Sequence, residues 1–453
     1  MVHIRFLGAA RTVTGSKFHV SVGDFAVMVD CGMFQGLKEL REQNWRPLSV
    51  DVPAVSYILL THGHLDHVGY LPRMLKQGFK GRVLGTAPTL AITRIILRDS
   101  AKIHEEEAEK ANKEGYSKHH PALPFYTLEE AEAVMERFDS VPLDEWQELH
   151  DDVAVKWTYN GHILGATYLI LKIGGKQYVF SGDIGRPDDL LLRDPEYPKW
   201  ADYLFMESTY GDRTHPEEDV ENTLITLAQE TIRERGTLLI PSFAVERLQM
   251  LMLILWRLYQ KNRIPGIPIF IDSPMGTDVL SVFREYKAWH RIPDADLKAM
   301  CRHMTLVSSY RDTWKTIDDP RPKIVVAGSG MLSGGRILTY LTRTLEKKNT
   351  TILLVGYQAE GTRGRKLLDG EGRIRIFGKE YDVEARVVHL ESLSAHADRN
   401  ELLTWLGNIR NIPEKVFLIH GEQAAMEGLK AGIEEEYGWS VILPSLEETV
   451  SLV

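Results

Sequence analysis

Cysteines and long apolar runs are scarce in this chain, and each scarcity excludes a class of protein. Its 453 residues include two cysteines, Cys31 and Cys301, which are too few for a disulfide framework. No stretch approaches the roughly 18 consecutive apolar residues of a membrane span, and the opening MVHIRFLGAARTVTG lacks a signal-peptide pattern. We therefore predict a cytoplasmic protein that works without a membrane.

Positive charge is also in deficit. The net charge of −9 at pH 7 provides no overall attraction to nucleic acid. A nucleic-acid substrate would need local basic patches, and affinity gained through phosphates would fall with salt. The length is enough for two to three domains of ordinary size.

The pattern of apolar residues changes along the chain. The first part alternates short apolar runs with glycine turns, as in ATYLILKIGGKQYVF, which is typical of hairpins. From about residue 210, helix-period segments alternate with apolar runs such as TLLIPSF, typical of buried parallel strands. Residues 88–115 form a long polar helical pattern, which we expect to be an exposed excursion. The histidine-rich turns lie only in the first and last thirds, so the middle is predicted to be an insertion.

The segment THGHLDH concentrates metal-binding side chains at the end of an apolar run. His62 and His64 are two residues apart, so both imidazoles point to one side of an extended backbone. Asp66 and His67 follow where a helix would begin and can face an adjacent position. Neutral imidazole and carboxylate are ligands that suit zinc, and two pairs predict two metal ions.

Four further polar residues each end a predicted strand: His162, Asp183, His420 and Asp30. A lone histidine in that context more often has a structural role. The cluster at 62–67 favours a metal-ligand role for His162 and His420 instead. Asp183 is the natural bridge, because one carboxylate can share its two oxygens between two cations. Asp30 either caps a turn or orients a ligand histidine from behind.

These side chains divide into two predicted ligand sets that share one carboxylate. The sets are His62, His64 and His162 for one metal and Asp66, His67 and His420 for the other, with Asp183 between them. Each metal then keeps an open position for water, as catalytic zinc sites do.

One group of residues resembles the metal-binding motifs of the metallo-β-lactamase superfamily: Asp30, HGHLDH, His162 and Asp183. In that superfamily an αββα sandwich carries the metals at one edge of its two sheets. Three further segments look like the signatures of the β-CASP branch of nucleases in this superfamily: FMESTYGDR, SLSAHADR and LIHGE. That branch includes ribonuclease J and the pre-mRNA 3′-end processing endonuclease. The resemblance implies an α/β fold, an αββα sandwich with an inserted parallel-sheet α/β β-CASP domain. The expected parts are residues 1–208 and 387–453 for the sandwich and 209–386 for the insertion.

The resemblance also implies a function. Two Zn²⁺ per chain would be held by the two sets, with Asp183 in both, and the substrate would be single-stranded RNA. His396 would act at the scissile phosphate, supported by Glu207, and these two join Asp66 and Asp30 as the expected catalytic residues. A zinc-bound hydroxide would attack phosphorus and leave 5′-phosphate and 3′-hydroxyl ends. A histidine at 420 accompanies the RNA-cleaving members of this branch.

The middle region contains candidate substrate-binding residues. AGSGMLSGGR, residues 327–336, follows an apolar run and opens a helix, so Ser329, Ser333 and Arg336 either belong to a simple turn or help hold a phosphate. Arg247 is a further candidate, although Glu246 stands before it where relatives often have glycine.

Four aromatic residues are candidate platforms on which RNA bases could stack, and each is equally expected to belong to the hydrophobic core: Tyr210, Phe243, Tyr310 and Tyr357.

Two other functions stay open at this stage. One is a small-molecule thioester or lactam hydrolase on the same sandwich, and the other is a non-catalytic RNA-binding subunit. Internal cleavage is favoured over 5′-to-3′ degradation, and the chain is expected to act alone or as a homodimer. The lack of a KH-type domain before the first strand points to a compact bacterial member of the branch.

Overall fold

The first segment of the chain, up to Thr214, consists mainly of strands bounded by glycine turns. A computed structural model describes residues 1–115, 117 and 119–453. The strands of this segment are β1 (Val2–Phe6), β2 (Phe18–Val22), β3 (Phe25–Val29), β4 (Val55–Leu59), β5 (Arg82–Thr86), β6 (Phe138–Val141), β7 (Gln147–His150), β8 (Val153–Tyr159), β9 (Thr167–Ile173), β10 (Lys176–Phe180) and β11 (Tyr203–Glu207). Its helices are α1 (Lys38–Gln43), α2 (Leu65–Val68), α3 (Leu71–Lys76), α4 (Ala87–Glu114) and α5 (Leu128–Met135).

Strands and helices alternate in the second segment. The strands are β12 (Thr237–Pro241), β13 (Ile269–Asp272), β14 (Thr305–Leu306), β15 (Lys323–Ala327), β16 (Thr350–Val355), β17 (Arg373–Ile376), β18 (Lys379–Asp382) and β19 (Arg386–Leu390). The helices are α6 (Val220–Arg233), α7 (Arg247–Gln260), α8 (Pro274–Glu285), α9 (Asp294–His303), α10 (Tyr310–Asp318), α11 (Ile337–Thr344) and α12 (Arg363–Leu368). The last segment contains β20 (Lys415–Ile419), β21 (Val441–Ile442), β22 (Thr449–Leu452), α13 (Arg399–Leu406) and α14 (Gln423–Tyr437).

These elements form two compact units. The first joins Met1–Thr214 to His396–Val453, and the second is His215–Ala395. Arg386–Leu390 pairs in parallel with β16, so this strand is part of the second unit's sheet rather than of the sandwich. The second junction therefore lies later in the chain than the expected 386/387 boundary.

Two seven-stranded sheets make up the first unit. Their orders are β22-β1-β2-β3-β4-β5-β6 and β21-β20-β11-β10-β9-β8-β7. Each sheet is antiparallel in one part and parallel in the other, and the parallel parts are β3 to β6 and β10-β11-β20-β21. Helix α4 packs on the outer face of the first sheet, and α13 and α14 cover the outer face of the second. The result is an αββα sandwich.

A ladder of phenylalanines occupies the core between the sheets. Phe180, Phe205 and Phe417 are in register on three adjacent parallel strands. Their rings stack with centroids 4.3 and 4.9 Å apart. Phe6 from the facing sheet packs 5.8 Å from Phe417, so aromatic contacts join the two sheets. This ladder fixes the strands from which several site residues extend.

Helix α4 is less exposed than its composition suggested. The Thr86 side chain accepts a hydrogen bond from the Thr89 backbone N–H at its start, and Gly115 ends it with a φ of 68°. Leu90 and Leu97 in its first turns are buried, and the exposed residues concentrate toward its charged second half. The expectation of an exposed excursion is therefore wrong for the first half, where an apolar stripe packs on the sheet.

The second unit surrounds a parallel sheet ordered β14-β13-β15-β12-β16-β19. All its strand pairs are parallel, and the strands carry almost continuously buried residues because helices cover the sheet. A β17–β18 hairpin stands apart from this sheet. Within the described residues, no helix has both the length and the apolarity to cross a bilayer.

Candidate metal centre

The predicted ligands of the first unit lie at the carboxyl ends of strands. His62 follows β4, Asp183 follows β10 and His420 follows β20, each within three residues of the strand's last residue. Parallel neighbours end at the same edge of a sheet, and here β10, β11 and β20 are consecutive parallel strands. Sheet topology therefore gathers residues that are hundreds of positions apart in the chain.

The first predicted set converges on a single point. The Nδ1 atom of His64 lies 3.1 Å from Nε2 of His62 and 3.2 Å from Nε2 of His162. Asp183 Oδ2 lies 3.5 Å from His62 Nε2 and 3.6 Å from His162 Nε2. The four ligand atoms fall within 4.8 Å of one another.

The second predicted set converges next to it. Nε2 of His67 lies 3.2 Å from Nε2 of His420, and that nitrogen is 3.4 Å from Asp66 Oδ2. These three ligand atoms also fall within 4.8 Å of one another.

Asp183 faces both sets with different oxygens. Its Oδ2 points to His62 and His162, whereas its Oδ1 lies 3.3 Å from His67 Nε2 and 3.5 Å from His420 Nδ1. Among the described residues, this buried Oδ1 has no hydrogen-bond partner. A buried carboxylate oxygen without a donor carries a large desolvation penalty unless a cation neutralises it.

The protonation of the histidines suits the first set to a cation. Burial holds the pKa of His62 well below its usual range and lowers the pKa of His64 to about 4, so both imidazoles are neutral at pH 7. Burial opposes ionisation of Asp183, yet the surrounding histidines hold its pKa well below the usual range. Two neutral imidazoles, a third histidine and a carboxylate that converge in this way fit a divalent metal.

Asp30 supports His67 from behind. Asp30 ends β3 with a φ of 55°, and its Oδ2 lies 2.8 Å from His67 Nδ1. The same carboxylate accepts hydrogen bonds from the Thr61 backbone N–H and hydroxyl, both at 2.8 Å. Although burial lowers the pKa of His67, Asp183 and Asp30 together raise it well above its usual value. The contact places the Nδ1 proton toward Asp30 and turns Nε2 toward the second set.

Glu207 and His396 form a second buried pair. His396 Nδ1 lies 3.1 and 3.2 Å from the two oxygens of Glu207, and its Nε2 lies 3.8 Å from Asp183 Oδ2. Glu207 also accepts hydrogen bonds from the backbone N–H groups of Ile184 and Thr209. Burial alone would lower the pKa of His396, but Glu207 and Asp183 raise it to about 9. The two carboxylates therefore favour the protonated form of this imidazole.

The α13 helix begins after His396, at Arg399, where Asp398 and Glu401 form a capping box. His396 is thus in the preceding loop, and its side chain is not the helix cap.

Two threonines that the sequence interpretation missed also contact the histidines. Thr61 Oγ1 lies 3.1 Å from His62 Nδ1, and Thr209 Oγ1 lies 3.1 Å from His420 Nδ1. Thr61 faces the His62 nitrogen opposite the one that joins the ligand set, whereas Thr209 faces the His420 nitrogen that also lies 3.5 Å from Asp183 Oδ1. A single threonine carries no spacing signal, so only its place beside a ligand could have suggested a role.

Lys17 is a buried cation behind the HGHLDH loop. Its Nζ donates hydrogen bonds to the carbonyls of Gly15 and Gly32 at 2.9 and 2.7 Å. The Ser16 backbone N–H donates to the carbonyl of Asp66, and a Cβ on Gly32 would lie 1.5 Å from that same oxygen. Only glycine fits this approach. Burial lowers the pKa of Lys17 to about 8.

The predicted substrate-binding residues lie in the second unit. The Ser333 backbone N–H donates to Ser329 Oγ at 3.2 Å, so the glycine-rich loop is partly closed on itself. Arg336 is tied to the protein, with Nη1 2.7 Å from Asp272 Oδ1 and Nη2 2.9 Å from the Ser308 carbonyl. Arg247 begins α7 and is buried.

Three domain families match the sequence. A metallo-beta-lactamase superfamily domain matches residues 19–233, a Beta-Casp domain matches 248–367, and a Zn-dependent metallo-hydrolase RNA specificity domain matches 380–444.

Curated proteins match over nearly the whole chain. Ribonuclease TTHA0252 of Thermus thermophilus is 34% identical over 429 residues, covering 93% of this chain and 94% of that protein. Transcription termination factor FttA of Methanocaldococcus jannaschii is 30% identical over 446 residues, covering 93% and 67%. Integrator complex subunit 11 of Danio rerio is 28% identical over 461 residues, covering 99% and 73%.

A solved structure matches the fold. The crystal structure of a protein of unknown function from Enterococcus faecalis V583 aligns over both full chains with a TM-score of 0.52 at 14% identity. The domain matches confirm the predicted fold class, and the matched relatives confirm the predicted family. The chain belongs to the metallo-β-lactamase superfamily, in its β-CASP branch of RNA-processing nucleases, and is a metal-dependent hydrolase.

Proposed function

We propose that this protein is a zinc-dependent ribonuclease that cleaves single-stranded RNA internally and leaves 5′-phosphate and 3′-hydroxyl ends. The observation that carries the proposal is the position of Asp183, whose two oxygens face two separate ligand sets. One carboxylate between two sets suits a pair of zinc ions, and paired ions roughly 3.5–4 Å apart clamp a phosphodiester during hydrolysis.

Two comparisons support RNA as the substrate. The matched relative from Thermus thermophilus is named a ribonuclease, and it covers nearly the whole chain. The family described as an RNA specificity domain matches residues 380–444, which include His396 and His420.

The metal ions and the protein side chains would each contribute to the hydrolysis of the phosphodiester. When bound, the metal pair lowers the pKa of water and neutralises charge on the phosphate. Water adds to phosphorus, the bond from phosphorus to the ribose 3′-oxygen breaks, and that oxygen needs a proton. We assign that proton to Nε2 of His396, and the assignment is supported by Glu207, which lies 3.1 Å from the opposite nitrogen and favours the protonated ring.

The remaining residues hold the site in shape. Asp30 orients His67 and is itself held by Thr61, and Thr209 contacts His420. Asp66 completes the second set with its Oδ2 toward His420. These contacts fix the ligands before substrate arrives, so little reorganisation is needed at the moment of reaction.

Two rival functions fit the residues less well. A thioester or lactam hydrolase has no need of the Glu207–His396 pair or of an inserted α/β unit. A non-catalytic RNA-binding subunit has no need of seven converging ligands, all of which are present in this chain. The bound-zinc content separates the second rival, since the proposal expects two equivalents per chain.

The test compares wild type with His396→Ala on single-stranded RNA labelled at its 5′ end, with zinc supplied and metal content measured. We expect internal products from wild type and a loss of about 10²–10⁴-fold in the variant, with two zinc ions bound to both. His119→Ala, a change at an exposed histidine of the same unit, is the matched control and should cleave normally.

Chemical analysis of the product ends completes the experiment. Ligation that requires a 5′-phosphate should succeed on the downstream product without prior phosphorylation. Intact RNA with wild type, or equal cleavage by the His396 variant, would refute the nuclease or the role of His396 respectively.

A further inference from the structure

Helix α10 of the second unit exposes two aromatic rings on one face. Tyr310 and Trp314 are four residues apart, so their side chains are neighbours on the helix surface. Tyr310 is 52% exposed and Trp314 is 39% exposed. Large rings with this much accessible surface, side by side, are available for contact with another molecule.

Each ring is paired with an arginine, one that immediately precedes α11 and one within it. The guanidinium carbon of Arg336 lies 5.2 Å from the Tyr310 ring centroid, and that of Arg343 lies 5.2 Å from the Trp314 centroid. Arg336 and Arg343 are seven residues apart, which is about two helical turns, so they fall on one side of α11. We call the four residues Tyr310, Trp314, Arg336 and Arg343 the α10–α11 face.

A buried carboxylate fixes this face from beneath. Asp272, at the end of β13, accepts hydrogen bonds at 2.7 Å from Arg336 Nη1, Thr313 Oγ1 and the Tyr340 hydroxyl. Its partners come from α10, from α11 and from the residue that precedes α11. The two helices are therefore held in one register, and Arg336 is held against Tyr310 rather than projecting into solvent.

Several exposed cations lie on α10 and α11, together with the acidic Asp312 and Asp318 of α10. Arg311, Lys315 and Arg343 are exposed, and Lys315 is partly offset by an ion pair with Asp312 at 2.8 Å. The chain as a whole carries −9, so this cationic face contrasts with the protein's overall charge. Exposed aromatic planes beside cations are the features with which proteins hold single-stranded nucleic acid without sequence preference.

We propose that the α10–α11 face binds single-stranded RNA, with bases stacked on Tyr310 and Trp314 and phosphates near Arg311 and Arg343. The choice of RNA rests on the proposed function. In this proposal Arg336 has a positioning role, because it lies against the Tyr310 ring and is held by Asp272.

The experiment measures binding of a 5′-fluorescein oligouridylate by fluorescence anisotropy. All proteins carry His396→Ala in the full chain, and a gel verifies that the RNA stays intact. Base stacking contributes roughly 1–3 kcal/mol per base, so Tyr310→Ala and Trp314→Ala should each raise Kd by at least about fivefold. Tyr259→Ala, at another exposed aromatic of the same unit, is the matched control and should leave Kd within about twofold.

Two further variants separate stacking and charge from misfolding. Tyr310→Phe and Trp314→Phe keep an aromatic plane and should retain most of the affinity. Arg343→Gln should reduce the slope of log Kd against log salt by about 0.7, as expected for the loss of one phosphate contact to a single strand.

The experiment distinguishes a failure of RNA binding at the α10–α11 face from a failure of the nuclease proposal. If wild type cleaves RNA but both alanine variants bind like the parent, the face does not bind RNA and the nuclease proposal stands. If the alanine variants lose binding while wild type leaves RNA intact, the face stands and the nuclease proposal fails. Equal loss in the phenylalanine variants would mean that ring stacking is not the source of affinity, which overturns the inference.

Discussion

Asp30 Oδ2 lies 2.8 Å from Nδ1 of His67, on the side of the imidazole opposite the second ligand set. The carboxylate is buried and accepts two more hydrogen bonds from Thr61. A ligand histidine whose far nitrogen is held in this way presents a single nitrogen, in a single orientation, to the metal. The strength of metal binding at the second set should therefore depend on a residue that never touches the metal.

Replacing Asp30 with asparagine tests that dependence. The amide is a weaker acceptor and carries no charge, so we expect zinc affinity at the second set to fall about 10–100-fold while the first set keeps its metal. Competition with a chelator of known affinity measures the change. Asp24→Asn, in the exposed turn between β2 and β3, should bind zinc like wild type. Unchanged affinity in the Asp30 variant would show that the contact is not needed for binding.

The two ligand sets should fill and empty separately. His162 contributes only to the first set and His420 only to the second, so His162→Ala and His420→Ala should each retain about one zinc. Asp183→Ala should weaken both, because its two oxygens face different sets. Metal analysis after dialysis against a zinc buffer provides the count. Loss of both ions in His420→Ala, with the fold intact, would contradict independent sets.

Glu207 should control the alkaline limit of activity. His396 must be protonated to act as an acid, so the rate falls as pH rises through its pKa. Burial lowers that pKa, but Glu207 and Asp183 together raise it to about 9, and bound zinc would lower it again in all variants alike. Glu207→Gln removes one of the raising charges, so we expect the basic limb of kcat/KM against pH to move at least one unit lower. Superimposable limbs in the two proteins would argue against His396 as the acid.

Lys17 should make stability depend on pH in a defined window. Its pKa is about 8 in the folded chain because of burial, against an ordinary value of 10.5. Between these values the unfolded chain binds more protons than the folded one, so this group's contribution to the free energy of unfolding rises with pH, by about 3 kcal/mol in total. It is constant below pH 8.

The measurement is urea unfolding of wild type and Lys17→Met between pH 7 and 10.5. The difference in unfolding free energy between the two proteins should change in favour of wild type as pH rises. Taking the difference removes the titration of tyrosines and other groups common to both. A difference that stays flat would mean that the buried amine keeps an ordinary pKa.

The local motifs of the sandwich could be predicted from sequence because their spacing carries the chemistry. His62 and His64 at alternate positions after a strand, with Asp66 and His67 at a helix start, already imply two directions of ligation. The sharing of Asp183 between two cations could be predicted as well. Which of its oxygens faces which set needed the structure, since it depends on how β10 and β20 are aligned.

Other features carry no signal of that kind. Lys17 looks like an ordinary exposed strand residue until the fold places Gly15 and Gly32 around its ammonium. The sequence around Arg336 leaves a simple turn and a phosphate contact open, and neither interpretation predicts the hydrogen bond to Asp272, 64 positions earlier. Long-range partners of this sort are set by sheet order, which single residues do not encode.

The pairing of β11 with β20 has a consequence for how the protein is made. All four residues of the first ligand set precede residue 184, whereas His420 is synthesised 237 residues after Asp183, once the entire second unit has emerged. Chains leave the ribosome N-terminus first, so the first predicted ligand set is complete in sequence long before the second. An interrupted translation product would contain the first set but lack His396 and His420. The second ligand set therefore becomes complete only once β20 has been made and has paired with β11.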